Sequence, residues 1–176
     1  FDPESGALTL NDKPHDTRPG AGPRHLTFHP NGRFVYVINE LDSTLLAFSL
    51  DESGTLREIQ SVDTIPEDFV GRRWGAEVAV HPSGKFLYAS NRADHESLSL
   101  FTIDESSGRL TFVAHVHEGI KHPRHFAIDP SGRWLLCASH DTDNVSIFAI
   151  DPGSGRLSPT GRQISVPSPV CILFGP

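Results

Sequence analysis

A turn motif that recurs three times along the chain restricts its fold more than any other feature. The motif has the form His/Asp-Pro-x-Gly-Arg/Lys-aromatic and begins at His29, His81 and Asp129, in steps of 52 and 48 residues. A second marker, Gly-x-Leu, follows a similar period out of phase with the first, as in Gly54-Thr55-Leu56. Two independent markers that share a period of about 50 residues indicate a protein built from internal repeats.

Each repeat contains four strand-length apolar segments separated by turn residues. In the first repeat these segments cover residues 26–28, 34–38, 45–50 and 56–62. Apolar residues do not recur at i, i+3, i+4 and i+7 over any long stretch, so we expect few helices. Four strands in about 50 residues are typical of a β-propeller blade. We therefore predict an all-β fold of the β-propeller type.

The repeats account for about three and a half four-stranded blades of a ring that we expect to contain seven. Residues 1–20 are predicted to supply the last strand of a preceding blade, residues 21–74, 75–122 and 123–165 one blade each, and residues 166–176 the first strand of a closing blade. Propellers commonly close with four to eight blades. We therefore expect either an absent N-terminal half or a second copy of the chain to complete the ring.

The composition excludes several classes of function. A net charge of -7 without a cluster of basic residues argues against binding to nucleic acid or to an anionic membrane. The apolar runs are too short to span a bilayer, and no signal peptide is visible. Cys137 and Cys171 form neither a disulfide framework nor a zinc-binding set. We expect a soluble, cytoplasmic protein.

Polar positions at which the repeats differ are the candidates for function. The first strand of a blade lines the central channel, so its start and the end of the second strand reach the same channel mouth. The side chains at these positions are Arg24, His25, Glu40, Glu77, Arg92, Arg124, His125 and His140. Arginine, carboxylate and imidazole groups around one axis suit a small anionic substrate that undergoes hydrolysis or proton transfer. Alternatively, these residues pair with one another as a structural ion network between blades.

Adjacent residues on a strand point to opposite faces. We therefore expect only one residue of the pair Arg24 and His25 to reach the channel, and only one of the pair Arg124 and His125.

The remaining polar features are interpreted as structural. A turn position that either His or Asp can occupy indicates turn capping and not catalysis. His115, His117 and His122, close to Glu118, form a poor ligand set, so we expect no metal site. Residues 64–76 form a long linker that is either a flap over the channel mouth or an ordinary surface loop with a packed Trp.

Five segments of the chain resemble the lactonase-type seven-bladed propellers, the family that includes bacterial 6-phosphogluconolactonases and the fungal carboxy-muconate cyclase. These segments are residues 22–26, 37–41, 87–92, 123–130 and 166–171. The similarity runs over essentially the whole chain and corresponds to the C-terminal half of the family's chains. The resemblance implies hydrolysis of a sugar lactone, with 6-phosphogluconolactone of the pentose phosphate pathway as the expected substrate.

The resemblance also implies roles for individual residues. The family's active-site Arg and Glu match Arg24 and Glu40, and a second Arg matches Arg92. Arg24 and Arg92 are expected to hold a phosphate or to stabilise an oxyanion, and Glu40 to activate water. The family's candidate catalytic His lies in an earlier blade and has no match here, and His140 stands where the family often has Gln.

The other candidates at the channel mouth are expected to bind the substrate. They are His25, Glu77, Arg124, His125 and His140. No cofactor is expected, because sugar lactones are already reactive esters. Two alternatives remain open: a muconate-type lactonising cycloisomerase, and a non-catalytic propeller scaffold.

Overall fold

The computed structural model describes residues 1–9 and 14–175, which fold into twelve antiparallel β-strands and one 3-10 helix, His140–Thr142. Blade 1 consists of β1 (Pro23–Phe28), β2 (Phe34–Asn39), β3 (Thr44–Leu50) and β4 (Leu56–Asp63). Blade 2 consists of β5 (Arg73–Val80), β6 (Phe86–Ala93), β7 (Ser97–Ile103) and β8 (Leu110–Val116). Blade 3 consists of β9 (Pro123–Ile128), β10 (Trp134–Ser139), β11 (Asn144–Ile150) and β12 (Leu157–Ser165). Within the described ranges, no helix has the length and apolar composition needed to cross a membrane.

The strands of each blade pair in sequence order to give a four-stranded meander. The hydrophobic core lies between the sheets: Tyr36 and Ile38 of blade 1 pack with Leu87 and Phe101 of blade 2. An equivalent cluster joins blade 2 to blade 3. The first strands β1, β5 and β9 are neighbours, so the sheets fan out from one axis. This arrangement confirms the predicted all-β propeller architecture, with three complete blades.

Two copies of the Gly-x-Leu marker, those that begin at Gly108 and Gly155, pack against the preceding blade. The Tyr36 hydroxyl donates a hydrogen bond to the carbonyl oxygen of Gly108 at 3.0 Å, and the Tyr88 hydroxyl donates to that of Gly155 at 2.6 Å. Gly108 has φ of +71°, and a Cβ atom there would lie 2.5 Å from the Phe34 ring. Only glycine combines this left-handed backbone with so close an approach.

The His/Asp-Pro-x-Gly marker caps its own turn, as expected. Nδ1 of His81 accepts a hydrogen bond from the Ser83 backbone N–H at 3.1 Å, and the Asp129 carboxylate accepts the corresponding bond from Ser131 at 3.1 Å. The histidine has a second role that its sequence position does not reveal. Nε2 of His81 donates to the Gly132 carbonyl of the next blade at 2.8 Å, and His29 makes the same contact with Gly84 at 2.9 Å.

One blade boundary and the two terminal segments differ from the sequence prediction. β5 begins at Arg73, because the end of the 64–76 linker already pairs with β6, so a blade boundary at 74/75 cuts this strand. The described residues of 1–20 contain no strand, and part of the strand expected at 6–19 falls on residues 10–13, outside the described residues. Residues 166–175 also contain no strand. A strand needs a hydrogen-bonding partner, and assigning these segments to neighbouring blades stays a prediction.

Replacing His81 with Asp is expected to lower the free energy of unfolding by about 1–2 kcal/mol, because the shorter side chain still caps the turn but leaves the buried Gly132 carbonyl without its donor. Urea unfolding measures the loss. His29→Asp should cause a similar loss, since its contact with Gly84 is equivalent. Wild-type stability in both variants would show that these contacts between blades contribute nothing.

Candidate active site

A β-bulge at the start of the first strand places the candidate side chains in all three blades. The register shifts between Pro23 and His25 in β1, between Gly75 and Val78 in β5, and between the partners of Ala138 and Ser139 in β9. A bulge places two residues opposite one and re-aims their side chains. The expectation that only one residue of Arg24 and His25 faces the channel mouth is therefore wrong: Nη1 of Arg24 lies 3.3 Å from Nδ1 of His25.

Glu40 lies between two arginines from different blades. Its Oε1 accepts a hydrogen bond from Nη2 of Arg92 in blade 2, and its Oε2 lies 3.9 Å from Nε of Arg24 in blade 1. Arg24 in turn donates from Nη1 to the Ala76 carbonyl of blade 2 at 2.7 Å. The three residues named as catalytic from the sequence therefore form one cluster across the joint between two blades.

The close approach of β5 to the end of β2 holds this cluster in place. The Gly75 N–H donates to the Glu40 carbonyl at 2.9 Å, and a Cβ atom on Gly75 would lie 2.5 Å from the Asn39 carbonyl oxygen. Arg92, 3% exposed, lies over the Trp74 ring, with its guanidinium carbon 5.6 Å from the ring centroid. Nε of Arg92 is buried without a hydrogen-bond partner among the described residues, so the ring provides part of its stabilisation.

Glu77 lies between two histidines in the same way. Nδ1 of His25 in blade 1 lies 2.8 Å from Oε2 of Glu77, and Nε2 of His125 in blade 3 lies 3.1 Å from the same oxygen. A carboxylate only accepts hydrogen bonds, so Nδ1 of His25 carries the hydrogen of its bond to Glu77. Nδ1 of His125 then accepts from the Ile172 N–H at 3.3 Å, and Oε1 of Glu77 accepts from the Val78 N–H at 3.0 Å. Burial lowers the pKa of His125, which the charge of Glu77 partly offsets.

Positive charge is concentrated at this mouth. Burial lowers the pKa of Arg24, and repulsion from Arg92 and Arg124 lowers it further, while Glu40 and Glu77 oppose the shift. Arg92 is paired with Glu40, but Arg124 has no hydrogen-bond or ion-pair partner among the residues that the structure describes. Three guanidinium groups close to two carboxylates leave an excess of positive charge, which favours an anionic ligand.

His140 belongs to a neighbouring group. It begins the 3-10 helix, and its Nδ1 lies 2.7 Å from Oδ1 of Asp141. Its ring centroid lies 5.4 Å from that of His122, whose pKa is lowered by burial and by the charge of Arg92, against the opposing charge of Asp141. Arg92 and His140 both contribute to lowering the pKa of His122, so His122 lies within electrostatic reach of both. No described contact joins His140 to Glu40.

The 64–76 linker is tied to both blades that it connects. The buried Thr64 hydroxyl donates to the Ser43 carbonyl at 2.8 Å and also lies 2.5 Å from Oδ1 of Asn91. Arg72 pairs with Asp94 at 2.9 Å. These bonds hold the segment at the rim, and whether it also acts as a flap stays a prediction.

Two clusters near the same end of blade 2 contain possible metal ligands. One consists of His95, His115 and His117, and the other of Glu96, His122 and Asp141; within each, the ligand atoms lie within 4.8 Å of one another. The structure thus separates His122 from the histidines with which the sequence analysis grouped it and adds His95, which a turn brings close to the end of β8.

Sequence comparison of the repeats missed three residues that shape this site. Trp74 packs against the guanidinium of Arg92. His122 lies within electrostatic reach of both Arg92 and His140. Sγ of the exposed Cys171 lies 4.0 Å from Nε2 of His125. The Gly-Arg-Arg-Trp string was an available signal for Trp74. Cys171 occupies the position of His25 and His125 in the last, partial unit of the repeat, so a signal for it was available, whereas nothing in the repeat marks His122.

Comparison with known proteins places the chain in one family. The family described as "Lactonase, 7-bladed beta-propeller" matches residues 1–174. The chain is 38% identical over 172 residues to the 6-phosphogluconolactonase of Bacillus subtilis, covering 97% of this chain and 49% of that protein. It is 40% identical over 144 residues to that of Pectobacterium carotovorum, covering 81% and 43%. The chain therefore spans about half the length of these curated relatives.

Solved structures agree with this assignment. A crystal structure from Bacteroides uniformis matches with a TM-score of 0.90 at 35% identity, over 97% of this chain and 48% of that one. The periplasmic gluconolactonase PpgL of Pseudomonas aeruginosa matches with a TM-score of 0.82 at 37% identity, over 87% and 42%. With three stacked blades and a family match over nearly its whole length, this chain belongs to the lactonase family of seven-bladed β-propellers.

Proposed function

We propose that the protein hydrolyses a sugar lactone at the channel mouth, with 6-phosphogluconolactone as substrate. The observation that carries this proposal is the convergence of Arg24, Glu40 and Arg92 from two blades in a chain of the lactonase family. Relatives named 6-phosphogluconolactonase support the choice of substrate. The rest of a seven-bladed ring, from further sequence or from a second copy, would complete the site.

Lactone hydrolysis requires a group that stabilises negative charge on the carbonyl oxygen. Water attacks the lactone carbonyl, a tetrahedral oxyanion forms, and the bond to the ring oxygen then breaks. Arg24 already donates to a carbonyl oxygen, that of Ala76, and its Nε lies at the edge of the cluster facing Glu40. A fixed guanidinium in a partly buried site stabilises such an oxyanion with little reorganisation. Glu40 holds Arg24 and Arg92 at a defined separation.

Two groups could take the proton from the attacking water, and the contacts favour His25 over Glu40. Each oxygen of Glu40 already faces a guanidinium. Nδ1 of His25 is bonded to Glu77, which leaves Nε2 with a lone pair on a side chain that is 38% exposed. A carboxylate that orients an imidazole in this way is the usual arrangement of a histidine base. In our proposal His25 takes this proton and returns it to the ring oxygen as the ring opens.

A phosphorylated substrate needs a second anion site, and Arg124 is the group available for it. Arg124 is half-buried, and its charge contributes to lowering the pKa of Arg24. Its side chain has no hydrogen-bond or ion-pair partner among the described residues. A planar guanidinium binds phosphate through paired hydrogen bonds. We therefore assign the phosphate of the substrate to Arg124, with His125 and His140 at the edges of the same mouth.

The substrate also decides the compartment. A phosphorylated sugar does not cross a lipid bilayer unaided, because its charge is costly to desolvate. An enzyme for 6-phosphogluconolactone therefore belongs in the cytoplasm with the pentose phosphate pathway, and we propose that location. The gluconolactonase relative of Pseudomonas aeruginosa is described as periplasmic, so the substrate and the location are tested together.

His25→Asn in the complete protein is expected to lower kcat for 6-phosphogluconolactone by about 100-fold or more, because it removes the proposed base. Glu40→Gln should act mainly on KM, because it frees the two arginines that position the substrate. Turnover is followed by acid release and corrected for the spontaneous hydrolysis of the lactone in buffer alone.

His15→Gln is the matched control, because His15 lies in the segment before β1 and pairs at 3.1 Å with Glu58 on β4, the outer strand of blade 1. If Glu40→Gln abolished turnover while His25→Asn retained it, the base would be Glu40, as the sequence analysis expected. If wild-type protein only matched the spontaneous rate but converted a carboxylated muconate, the cycloisomerase alternative would replace our proposal. If the protein converted neither substrate faster than the spontaneous rate, we would conclude that it is a non-catalytic propeller scaffold.

Arg124→Met is expected to raise KM for 6-phosphogluconolactone by about 10-fold or more, because it removes a charged hydrogen bond to the phosphate. The KM for unphosphorylated glucono-1,5-lactone should change by less than about twofold. Arg156→Met is the control, since this exposed arginine lies in the turn at the opposite end of blade 3. Equal effects on both lactones would contradict the assignment of the phosphate to Arg124.

A further inference from the structure

Three histidines near the outer rim of blade 2 converge from two separate segments. His95 lies in the turn between β6 and β7, and His115 and His117 lie at the end of β8. The ring centroid of His95 lies 4.9 Å from that of His115 and 5.1 Å from that of His117. One ligand nitrogen from each ring lies within 4.8 Å of the other two. The proposed lactonase mechanism uses none of these side chains.

Hydrogen bonds orient all three rings and occupy one nitrogen of each. Nε2 of His115 donates to the Thr64 carbonyl at 2.9 Å, and Nδ1 of His117 donates to the Glu96 carbonyl at 2.8 Å. Nδ1 of His95 lies 3.0 Å from the Ser97 hydroxyl. The other nitrogen of each ring has no hydrogen-bond partner among the described residues. A metal-binding histidine typically donates its second N–H to a carbonyl in this way.

We propose that His95, His115 and His117 bind a divalent transition-metal ion of the zinc type. Imidazole nitrogen is a preferred ligand for zinc, copper, nickel and cobalt ions. Three histidines supply three tetrahedral positions, and the exposed side of His117 leaves the fourth to solvent. Nitrogens bound to zinc at about 2.0 Å lie about 3.3 Å apart, so small rotations of the rings would complete the site.

The charge around the three histidines is compatible with a bound cation. The nearby Arg73 is paired with Asp63 at 3.0 Å, which offsets its positive charge.

The second cluster of possible ligands is less suited to a metal. Oε2 of Glu96 is paired with Lys121 at 2.7 Å, and its Oε1 accepts from the His122 backbone N–H at 3.1 Å. Asp141 already contacts both His122 and His140. The carboxylates of this cluster are therefore already paired, whereas each ring of the histidine cluster keeps one nitrogen without a hydrogen-bond partner among the described residues.

A bound ion would stabilise the segment that leads to the candidate active site. The Thr64 carbonyl that accepts from His115 also accepts from Asn91 at 3.2 Å and from Ser99 at 2.5 Å. Asn91 precedes Arg92 on β6. A metal on Nδ1 of His115 would strengthen the hydrogen bond of its Nε2 to Thr64, so we expect a structural ion that fixes the 64–76 linker against β6.

The test is titration of the complete, chelator-treated protein with Co²⁺ and Zn²⁺. We expect one equivalent of Co²⁺ to give visible absorption bands of a four-coordinate site, and Zn²⁺ to displace it with a Kd below about 10 μM. Zinc should also raise the thermal unfolding midpoint, because it binds only the folded state. Nitrogen-15 NMR should report Nδ1 coordination for His115 and Nε2 coordination for His117.

His117→Gln should weaken zinc binding by about 100-fold or more, because it removes a ligand. The side chain is exposed, so the fold should be unaffected, as far-ultraviolet circular dichroism can verify. His95→Gln provides a second variant with the same expectation, and His122→Gln is the control that should bind zinc normally. Wild-type protein that binds neither ion, binding that survives both ligand variants, or binding lost only in His122→Gln would each overturn the proposal.

Discussion

Two carboxylates, each shared between neighbouring blades, determine how the candidate site is built. Glu40 lies between Arg24 and Arg92, and Glu77 lies between His25 and His125. The Glu77 side chain is 10% exposed, and the Glu40 side chain is 35% exposed. A partly buried carboxylate needs charged or hydrogen-bonding partners, since the free energy of desolvating it is several kcal/mol. The sheets must therefore keep their inner strands close enough for these side chains to meet.

The same contacts serve the joint between blades and the proposed chemistry. Arg92 is almost completely buried against Trp74, and Gly75 permits the approach that lets Arg92 reach Glu40. A residue that performs both roles cannot be tested by loss of activity alone, because its removal also disturbs the packing of two sheets. Kinetics are therefore more informative at two other positions. His25 has a side chain that is 38% exposed, and Arg124 has no hydrogen-bond or ion-pair partner among the described residues.

The sequence predicted the twelve strands of the three complete blades, because the repeat shows which positions are equivalent. The strands expected in residues 1–20 and 166–176 are not found among the described residues. The sequence also grouped Arg24, Glu40 and Arg92, which the structure brings together. It did not predict that Arg24 and His25 act on the same side, because a bulge changes the alternation of side chains and has no signature in hydrophobic pattern. It also missed His95 as a neighbour of His115. That contact depends on how a turn folds over the next hairpin, which neither spacing nor composition encodes.

The blades are similar in shape but differ in the groups they offer to the following blade. Blades 1 and 2 each present a histidine and a tyrosine that reach the next sheet, whereas blade 3 has Asp129 and Leu136 at these positions and a Trp134 that is 37% exposed. A duplicated or transplanted copy of blade 3 would therefore lack the donors that blade 3 itself receives from blade 2. These side chains therefore fix the order of the blades, and the blades are not interchangeable. A recombined propeller would need newly designed contacts between neighbouring blades.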